Sequence, residues 1–506
     1  AATNLVLNGG TLQYTGGTVS TDRLFSVGTA GGTIDASGSG AVNFTNTGSM
    51  AFNGQTGTRT LTLTGTNTNA NTIAAVIGDN GGATSVAKTG TGEWVLSGTN
   101  TYTGTTNITG GTLQIAGAAN TTWLGSNTGG AVNISGSGTL DLGGVTASVV
   151  NFGAKQFNIS GAGAGGNGAI TNSSTVIQTN AFQSVALTGD ATIGGGDGSS
   201  NTQNGRWDIR GGSATLALGN NTLTKTGSNQ VSIVAGTISG NGNIVVNQGE
   251  LAIQTGTFAQ GTGTFTFNGG TTLGLWNNTA GRVTTAMAFI GANTVLNESG
   301  ASTINSNMTI NGTTNFDIES GTSLTLAGQL GGAGTILLNG ANSNTYSTSN
   351  PYTGTLALGA NQIFNSTLDL AGGTLALNGF NLNVSTLHIT GNSTIDFGSG
   401  LASILDTTNF IIDPGITLTI TNWANAVDYF YSSNNPGLTS LSQIVFDPPT
   451  YTGSDTKWLN YADGPDNDHQ ITPVPEPATY GAFFTAVALV LFFWQRRRLR
   501  PIPVAA

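Results

Sequence analysis

Short segments in which apolar and polar residues alternate recur along most of this chain, and a turn-forming residue introduces each one. In one such segment, Leu113 and Ile115 lie on one face of an extended strand and Gln114 on the other. Pairs such as Asn-Gly and Gly-Gly separate the segments about every 8 to 12 residues, which is typical of turns between short strands. The clearest segments are residues 9–14, 31–35, 110–115, 137–142, 212–218, 372–377 and 393–397. The pattern therefore predicts an all-β fold of half-buried strands.

The length of the chain decides between the ways in which such strands pack. The chain has 506 residues, whereas single hydrophobic cores stop growing at about 250 to 300 residues. Strands that coil into stacked, repeated units avoid this limit, because each coil buries its apolar face against the next. With about 20 to 25 residues in a coil, residues 1–400 would form about 17 to 20 coils, stacked about 4.8 Å apart. We therefore expect a parallel β-helix over residues 1–400.

One repeat, residues 86–117, is clearer than the others. It resembles the autotransporter-associated β-strand repeat of passenger domains, and the resemblance implies an all-β, right-handed parallel β-helix. Partial copies follow at residues 223–227 and 338–354. The matching positions of the clear repeat are Lys88, Gly90, Gly92, Leu96, Gly98, Asn100, Tyr102, Gly104, Gly111, Thr112 and Leu113.

The composition changes after residue 400. Residues 401–472 contain more proline and more aromatic residues than the preceding repeats, among them Trp423, Trp458 and the pair Pro448 and Pro449. We interpret this region as a β-rich C-terminal cap. Such a cap would cover the open edge of the last coil, which otherwise invites edge-to-edge pairing with other chains.

The last part of the chain, residues 473–500, combines an extended peptide, an apolar segment and a basic cluster. Residues 478–495 contain no charge and no proline. As a helix, their 18 residues would reach about 27 Å, which is enough to span a thin membrane. Four arginines follow and place that end in the cytoplasm by the positive-inside rule. They are Arg496, Arg497, Arg498 and Arg500.

The residues before this apolar segment resemble a known sorting signal. Val474, Pro475, Glu476 and Pro477 precede it, and the prolines hold the peptide extended. The combination resembles the PEP-CTERM sorting signal of exported Gram-negative proteins. The resemblance implies that a membrane-embedded exosortase recognises Pro475, Glu476 and Pro477 as substrate. It also implies a precursor anchored in the inner membrane, which is processed and then displayed at the cell surface or released.

The composition favours an exported protein and disfavours nucleic acid as a partner. The chain has no cysteine and does not begin with methionine, as expected after removal of a signal peptide. Four of the 13 basic residues are in the tail, which leaves nine against 23 acidic ones. Nine scattered cations cannot form a basic face for nucleic acid. Charged residues make up 7% of the chain, against about 25% in ordinary soluble domains.

The sequence offers few residues for catalysis. Asp317 and Glu319 would lie on one face of a strand, about 7 Å apart, a separation suited to glycosidic chemistry. We interpret the pair as part of a charged outer face, because the nearest arginine in the sequence is Arg282. The catalytic alternative stays open, since neighbouring coils could bring further groups. The two histidines are interpreted as a solvated strand residue, His388, and a linker residue, His469.

Candidate metal and phosphate sites are equally sparse. Asp463, Asp466 and Asp468 could bind calcium through their carboxylates, but a solvated linker is the preferred interpretation. Residues 194–198 are weakly similar to calcium-binding nonapeptides, without a nine-residue repeat. Residues 161–166 match the GxGxxG pattern without the helix that a dinucleotide site needs. No metal ion and no cofactor is expected.

We therefore predict a surface-displayed, non-enzymatic β-helical protein with a structural or adhesive role. Its expected partners are an exosortase-like enzyme, the membrane before processing and an extracellular polysaccharide or biofilm matrix. Self-assembly is left open. The alternative hypothesis is a β-helical polysaccharide lyase or hydrolase that uses Asp317 and Glu319.

Overall fold

The structure, a computed structural model, describes residues 4–118, 122–255, 257–260, 262–278, 283–339, 352–425, 427–446, 456–460 and 469–473. The chain divides into two compact units, Ala1–Thr355 and Leu356–Ala506. Together the described residues form about 18 coils. The only α-helix among them is Gly437–Leu441. The all-β class that the alternating pattern predicts is therefore confirmed.

The first unit is built from parallel strands on successive faces of each coil. Its largest sheet has 22 strands, and three of them are long enough to bend across a corner and join two faces: Thr106–Gly117, Val132–Val145 and Ser184–Ile193. The remaining strands of this sheet are Thr11–Tyr14, Val19–Thr21, Gly32–Ala36, Val42–Phe44, Arg59–Thr64, Asn71–Ile73, Thr84–Lys88, Glu93–Leu96, Gln156–Gly161, Ile170–Thr171, Thr215–Gly219, Thr222–Lys225, Thr237–Gly240, Asn243–Val246, Thr257–Gln260, Thr264–Phe267, Ala286–Ile290, Met308–Asn311 and Leu330–Gly331.

A second sheet of the first unit forms another face of the later coils. Its strands are Gln178–Phe182, Trp207–Arg210, Gln230–Val234, Glu250–Gln254, Thr272–Trp276, Asn293–Ser299, Thr313–Ile318 and Thr335–Leu338. Two smaller pairs complete the unit, Val6–Leu7 with Ser26–Val27 and Ala301–Ile304 with Ser323–Leu326. A short 3-10 turn lies at Ala164–Gly166. All described strand pairs of this unit are parallel, as expected for stacked coils.

The second unit continues the same kind of pairing. One of its sheets contains Gln362–Leu370, Leu382–Ile389, Ile404–Ile412 and Tyr429–Ser432, and the other contains Thr374–Ala376, Ser393–Asp396, Leu418–Thr421 and Ile444–Phe446. Thr355–Leu358 lies at the division between the units. Parallel pairing thus runs past residue 400, where the composition changes. The strands Thr456–Asn460 and His469–Pro473 pair antiparallel with each other and fall inside the predicted cap.

Residues that pair across adjacent coils are between 19 and 32 positions apart in the sequence. Glu93 pairs with Thr112, 19 positions later, and Ala191 pairs with Leu223, 32 positions later. The longer coil contains an insertion, residues 194–206, between the strands Ser184–Ile193 and Trp207–Arg210. The strands keep a regular register because their apolar face must stay inside, whereas the turns accept insertions.

Aromatic side chains stack inside the coils. The rings of Phe157 and Phe182 lie edge to face at 4.8 Å, and those of Phe182 and Trp207 at 5.3 Å. All three side chains are fully buried. Each such side chain contributes about 1.5 to 3 kcal/mol by leaving water, so the stack fixes the spacing of neighbouring coils.

The parallel β-solenoid that the repeats predict is confirmed, while its right-handed sense stays a prediction. The sorting signal at residues 474–477, the apolar segment 478–495 and the arginines at 496–500 lie outside the described residues. No helix within the described part of the chain is long and apolar enough to cross a membrane.

Candidate binding groove and buried carboxyl groups

A groove of about 880 Å³ crosses the coils of the first unit, from Glu93 to Thr294. Apart from Glu93 and Asp141, every residue that lines it is Thr, Ser, Asn, Gln, Gly or Ala. No lysine, arginine or aromatic residue is among its described lining residues. Sequence patterns do not predict this groove, since its walls come from turns in many different coils.

The insertion of residues 194–206 forms one wall of the groove. Asp197 holds its turn by accepting hydrogen bonds from Ser199 N (3.0 Å) and Asn204 Nδ2 (2.9 Å). These bonds lower the pKa of Asp197. The far end of the insertion is attached to the second sheet, because Gln203 Nε2 donates to Gln230 Oε1 at 2.9 Å. The glycine-rich stretch 194–198 is thus part of a fixed wall.

Glycine is required where this wall approaches the next coil. Gly196 has a φ of +94°, and a Cβ there would lie 2.6 Å from Ser228 Oγ. Beneath the wall, Ser228 Oγ and Asn229 Oδ1 are buried and have no hydrogen-bond partner in the described structure. Buried polar atoms without partners are uncommon in native proteins, and of these two residues Ser228 also lines the groove.

The acidic end of the groove is internally paired. Asp141 is buried and accepts hydrogen bonds from Gln114 Nε2 (2.9 Å), Ser173 Oγ (2.7 Å) and Gly143 N (2.9 Å). Gln114 and Ser173 belong to the coils on either side, so Asp141 ties three coils together. Burial and the nearby Asp141 raise the pKa of Glu93. This end of the groove therefore carries negative charge and would repel an anionic ligand.

Two further carboxyl groups, one buried and one half-buried, lie near the wall. Glu250 accepts hydrogen bonds from Gln230 Nε2 (2.6 Å) and from Thr202 Oγ1 (3.0 Å), which belongs to the wall. Glu298 hydrogen-bonds to Glu250, and burial together with that carboxyl raises the pKa of Glu298 to about 8. Burial and the second carboxyl thus favour the protonated form in this pair. Gly274 is needed here, since a Cβ at that position would meet Glu250 Oε1.

The environments of Asp317 and Glu319 differ from the solvated outer face that the sequence favours for them. Asp317 is fully buried, and neither of its carboxylate oxygens has a hydrogen-bond partner in the described structure. Burial raises the pKa of Asp317 to about 7. Glu319 is only partly buried. The outer-face interpretation is therefore wrong for Asp317, because other residues cover this face of the strand.

The two histidines also have closer partners than the sequence indicates. His388 lies between two carboxylates of the second unit, with Nδ1 3.4 Å from Asp369 and Nε2 3.0 Å from Asp413. His469 begins a strand and stacks on Trp458 at 3.8 Å, so it does not lie in a linker. No group of His, Cys, Asp or Glu among the described residues is arranged to hold a metal ion. Asp463, Asp466 and Asp468 lie outside them.

Two buried lysines close corners of the solenoid. Lys88 Nζ donates to the carbonyl oxygens of Thr89 (2.8 Å), Gly90 (3.1 Å) and Gly110 (2.8 Å). Lys225 makes the same three bonds with Thr226, Gly227 and Gln248. Burial lowers the pKa of Lys88 to about 8 and that of Lys225 to about 7, but three acceptors match the three N–H groups of an ammonium ion. Each lysine thus links two adjacent coils.

Replacing Lys88 with methionine is expected to destabilise the first unit by about 2 kcal/mol, because buried carbonyl oxygens would lose their donor. Lys155→Met provides a matched control. Lys155 is about equally buried, yet within the described structure its Nζ donates to a single carbonyl oxygen, that of Gly130 at 3.0 Å. Urea denaturation followed by circular dichroism should show a clearly smaller loss for the control. Equal losses of stability in the two variants would contradict the proposal that Lys88 links two coils at a corner.

Comparison with known proteins supports the resemblance of the clear repeat. Residues 86–115 match the passenger-associated-transport-repeat family. Over 150 residues the chain is 42% identical to the adhesin BmaC autotransporter of Brucella suis biovar 1 (strain 1330). The aligned segment covers 29% of this chain and 4% of that protein. The chain therefore spans a small fraction of this relative. No solved structure matches the chain.

Proposed function

We propose that this chain is a surface adhesin of a Gram-negative bacterium and that it binds without catalysing a reaction. The support is the parallel solenoid that carries a passenger-associated transport repeat together with the likeness to an autotransporter adhesin. The observation that carries the proposal furthest is the polar groove of the first unit, whose lining is uncharged apart from Glu93 and Asp141. A row of weak hydrogen-bonding groups along a solenoid suits attachment to an extended surface, because many weak contacts act together.

The test is attachment of the producing cells. Cells that lack this protein are expected to bind less to the extracellular matrix of their own species than cells that produce it, and the full-length chain should restore binding. Unchanged attachment in the deletion strain, with surface display of the protein verified in the parent, would refute the adhesive role.

Sorting by an exosortase is a second part of the proposal and depends on residues 474–500. Its support is the resemblance of Val474, Pro475, Glu476 and Pro477, the apolar segment and the arginines to a PEP-CTERM signal. The membrane holds the precursor, and an exosortase-like enzyme processes it. An exopolysaccharide or biofilm matrix is the proposed setting at the cell surface.

Replacing Pro475, Glu476 and Pro477 with alanine in one variant is expected to stop surface display and leave the β-structure unchanged. The tripeptide acts only as an extended substrate, and it lies beyond the last described strand. Surface labelling of intact cells measures display, and circular dichroism of the purified variant checks folding. Display at the native level would contradict exosortase sorting.

Enzymatic activity is the rival proposal, and the buried Asp317 is the observation that favours it, since a carboxyl with a raised pKa can act as a general acid. The native chain would be incubated with neutral and uronate-containing polysaccharides, following chain length and the absorbance of unsaturated sugar ends. We expect no cleavage. Cleavage that disappears in the double variant Asp317→Asn, Glu319→Gln would establish the rival.

A further inference from the structure

We propose that the groove of the first unit binds an extended, uncharged polysaccharide that lies along the axis of the coils. This inference deepens the proposed adhesive function and identifies the binding surface and the class of ligand. Its basis is the geometry of the groove, the chemistry of its lining and the unpaired Ser228 Oγ in that lining.

The groove presents similar groups at each step along the unit. Strand ends and turns of several coils line it, for example Thr171, Thr226 and Asn247. Adjacent parallel strands lie about 4.8 Å apart, so the hydroxyl and amide groups of the lining are spread along the coils at multiples of that distance. A polymer with a short, regular repeat can therefore make equivalent contacts with several coils, whereas a compact ligand would touch only a few.

The lining selects by charge. An anionic polysaccharide or a nucleic acid would need cations, and the described lining residues include none. The carboxylates of Glu93 and Asp141 at one end would repel such polymers further. The chain also offers an anionic polymer no long-range electrostatic attraction, since the sequence has 23 acidic and 13 basic residues. An uncharged ligand avoids both penalties.

The lining also selects for hydroxyl groups. Large apolar and aromatic side chains, which would hold an apolar peptide, are missing from the described lining residues. Ser, Thr, Asn and Gln side chains both donate and accept hydrogen bonds, as do sugar hydroxyl groups. A neutral glycan is the extended polymer that matches such a surface, and many modest hydrogen bonds would supply the affinity.

The centre of the groove contains groups that lack partners in the protein. Ser228 Oγ and Asn229 Oδ1 are buried beneath the wall and unpaired within the described structure. The amides of Asn247 and Gln248 lie exposed in the next coil. An unpaired buried oxygen destabilises the folded chain, and a ligand hydroxyl that reached Ser228 Oγ would satisfy it. This favours the binding of a donor-rich ligand here over a simple structural cleft.

Affinity electrophoresis of the full chain in gels that contain a soluble neutral β-glucan, dextran or polygalacturonate tests the inference. We expect retardation by at least one neutral polymer, none by the anionic polygalacturonate, and little change with salt, because screening weakens only charge-based binding. Preferential binding of polygalacturonate, or no retardation by either neutral polymer, would overturn the ligand class.

Two variants locate the site. Asn247→Trp and Ser200→Trp each place a large side chain at an exposed position of the groove lining, and each is expected to weaken binding about tenfold or more, equivalent to about 1.4 kcal/mol. Thr309→Trp is the matched control, since Thr309 is exposed on the strand Met308–Asn311 outside the groove lining. Two independent positions keep the test decisive if one variant folds poorly.

The outcome separates this inference from the proposed function. If cells attach through the protein but both groove variants bind the neutral polymer like the control, adhesion uses another surface and the groove inference is wrong. If deletion of the protein leaves attachment unchanged while the purified chain binds glycan through the groove, the inference stands and the adhesive role falls.

Discussion

Asp317→Asn is expected to remove a large part of a pH dependence that the native first unit should show, with its stability falling as the pH rises from about 4 to 7. The side chain of Asp317 is fully buried, without a hydrogen-bond partner in the described structure. Water stabilises its charged form in the unfolded chain, and no hydrogen bond from the described residues replaces water in the folded one. The variant should therefore gain stability relative to the native protein at pH 8.

The sign follows from the two pKa values. Burial raises the pKa of Asp317 to about 7 in the folded protein, against about 3.9 in an unfolded chain. Between these values the folded state binds more protons, so the free energy of unfolding falls with rising pH. Three pKa units correspond to about 4 kcal/mol, an upper limit that is reached once the pH exceeds the folded pKa.

The measurement compares urea denaturation of native and variant chains at pH 5 and pH 8. Glu298, whose pKa is raised to about 8, adds its own loss of stability between about pH 4 and pH 8 in both chains. The effect of Asp317 is therefore the difference in the free energy of unfolding between the native and the variant chain. This difference should be large at pH 8 and clearly smaller at pH 5. Asp22→Asn, at an exposed position of the same unit, is the control and should change neither value. A native chain that is equally stable at both pH values would contradict the prediction.

The sequence predicts the solenoid because its signal is local. Alternation over four to six residues, as at Leu113 and Ile115, sets the buried face of a strand whatever its neighbours are. Recurrence of the pattern then requires stacking, since no single coil can bury its apolar face alone. The length of individual coils is less predictable, because insertions such as residues 194–206 change the turns without changing the strands.

The candidate site could not be predicted in the same way, since its contacts join distant parts of the sequence. Alternation places Asp317 on the outer face of its strand, but it does not reveal that this face is covered. His388 meets Asp369, 19 positions earlier, and Asp413, 25 positions later. The resemblance of the clear repeat identifies Lys88, yet the carbonyl oxygen of Gly110 that it binds belongs to the next coil. Such partners follow only from the register of the coils.

The groove wall also depends on the core below it. Trp207 is fully buried, and its indole Nε1 donates to Gly194 O at 2.9 Å. Gly194 is the first residue of the insertion that forms the wall. One hydrogen bond and one aromatic contact, between Trp207 and Phe182 at 5.3 Å, thus connect the interior of the solenoid to its binding surface.

Trp207→Ala is expected to cost about 3 to 5 kcal/mol, as large truncations of buried aromatic residues do. It should also weaken glycan binding, although Trp207 itself does not line the groove. The reason is that the wall would lose its anchor at Gly194, so that opening of residues 195–205 becomes more frequent. Trp207→Phe keeps a ring in the stack and removes the hydrogen bond, and should cost less in stability while still loosening the wall.

Hydrogen exchange of the amides in residues 195–205, together with affinity electrophoresis on a neutral glucan, separates this local effect from general instability. Phe25→Ala is the control, because Phe25 is fully buried against Phe44 and lies outside the groove lining. It should destabilise the unit to a similar degree. The protection of the wall amides from hydrogen exchange and the affinity for the glucan should stay near native. If Phe25→Ala lowers the affinity as much as Trp207→Ala, the anchor is not specific. A wall that stays fully protected in Trp207→Ala would likewise show that Gly194 is held by other contacts and that the core does not control the groove.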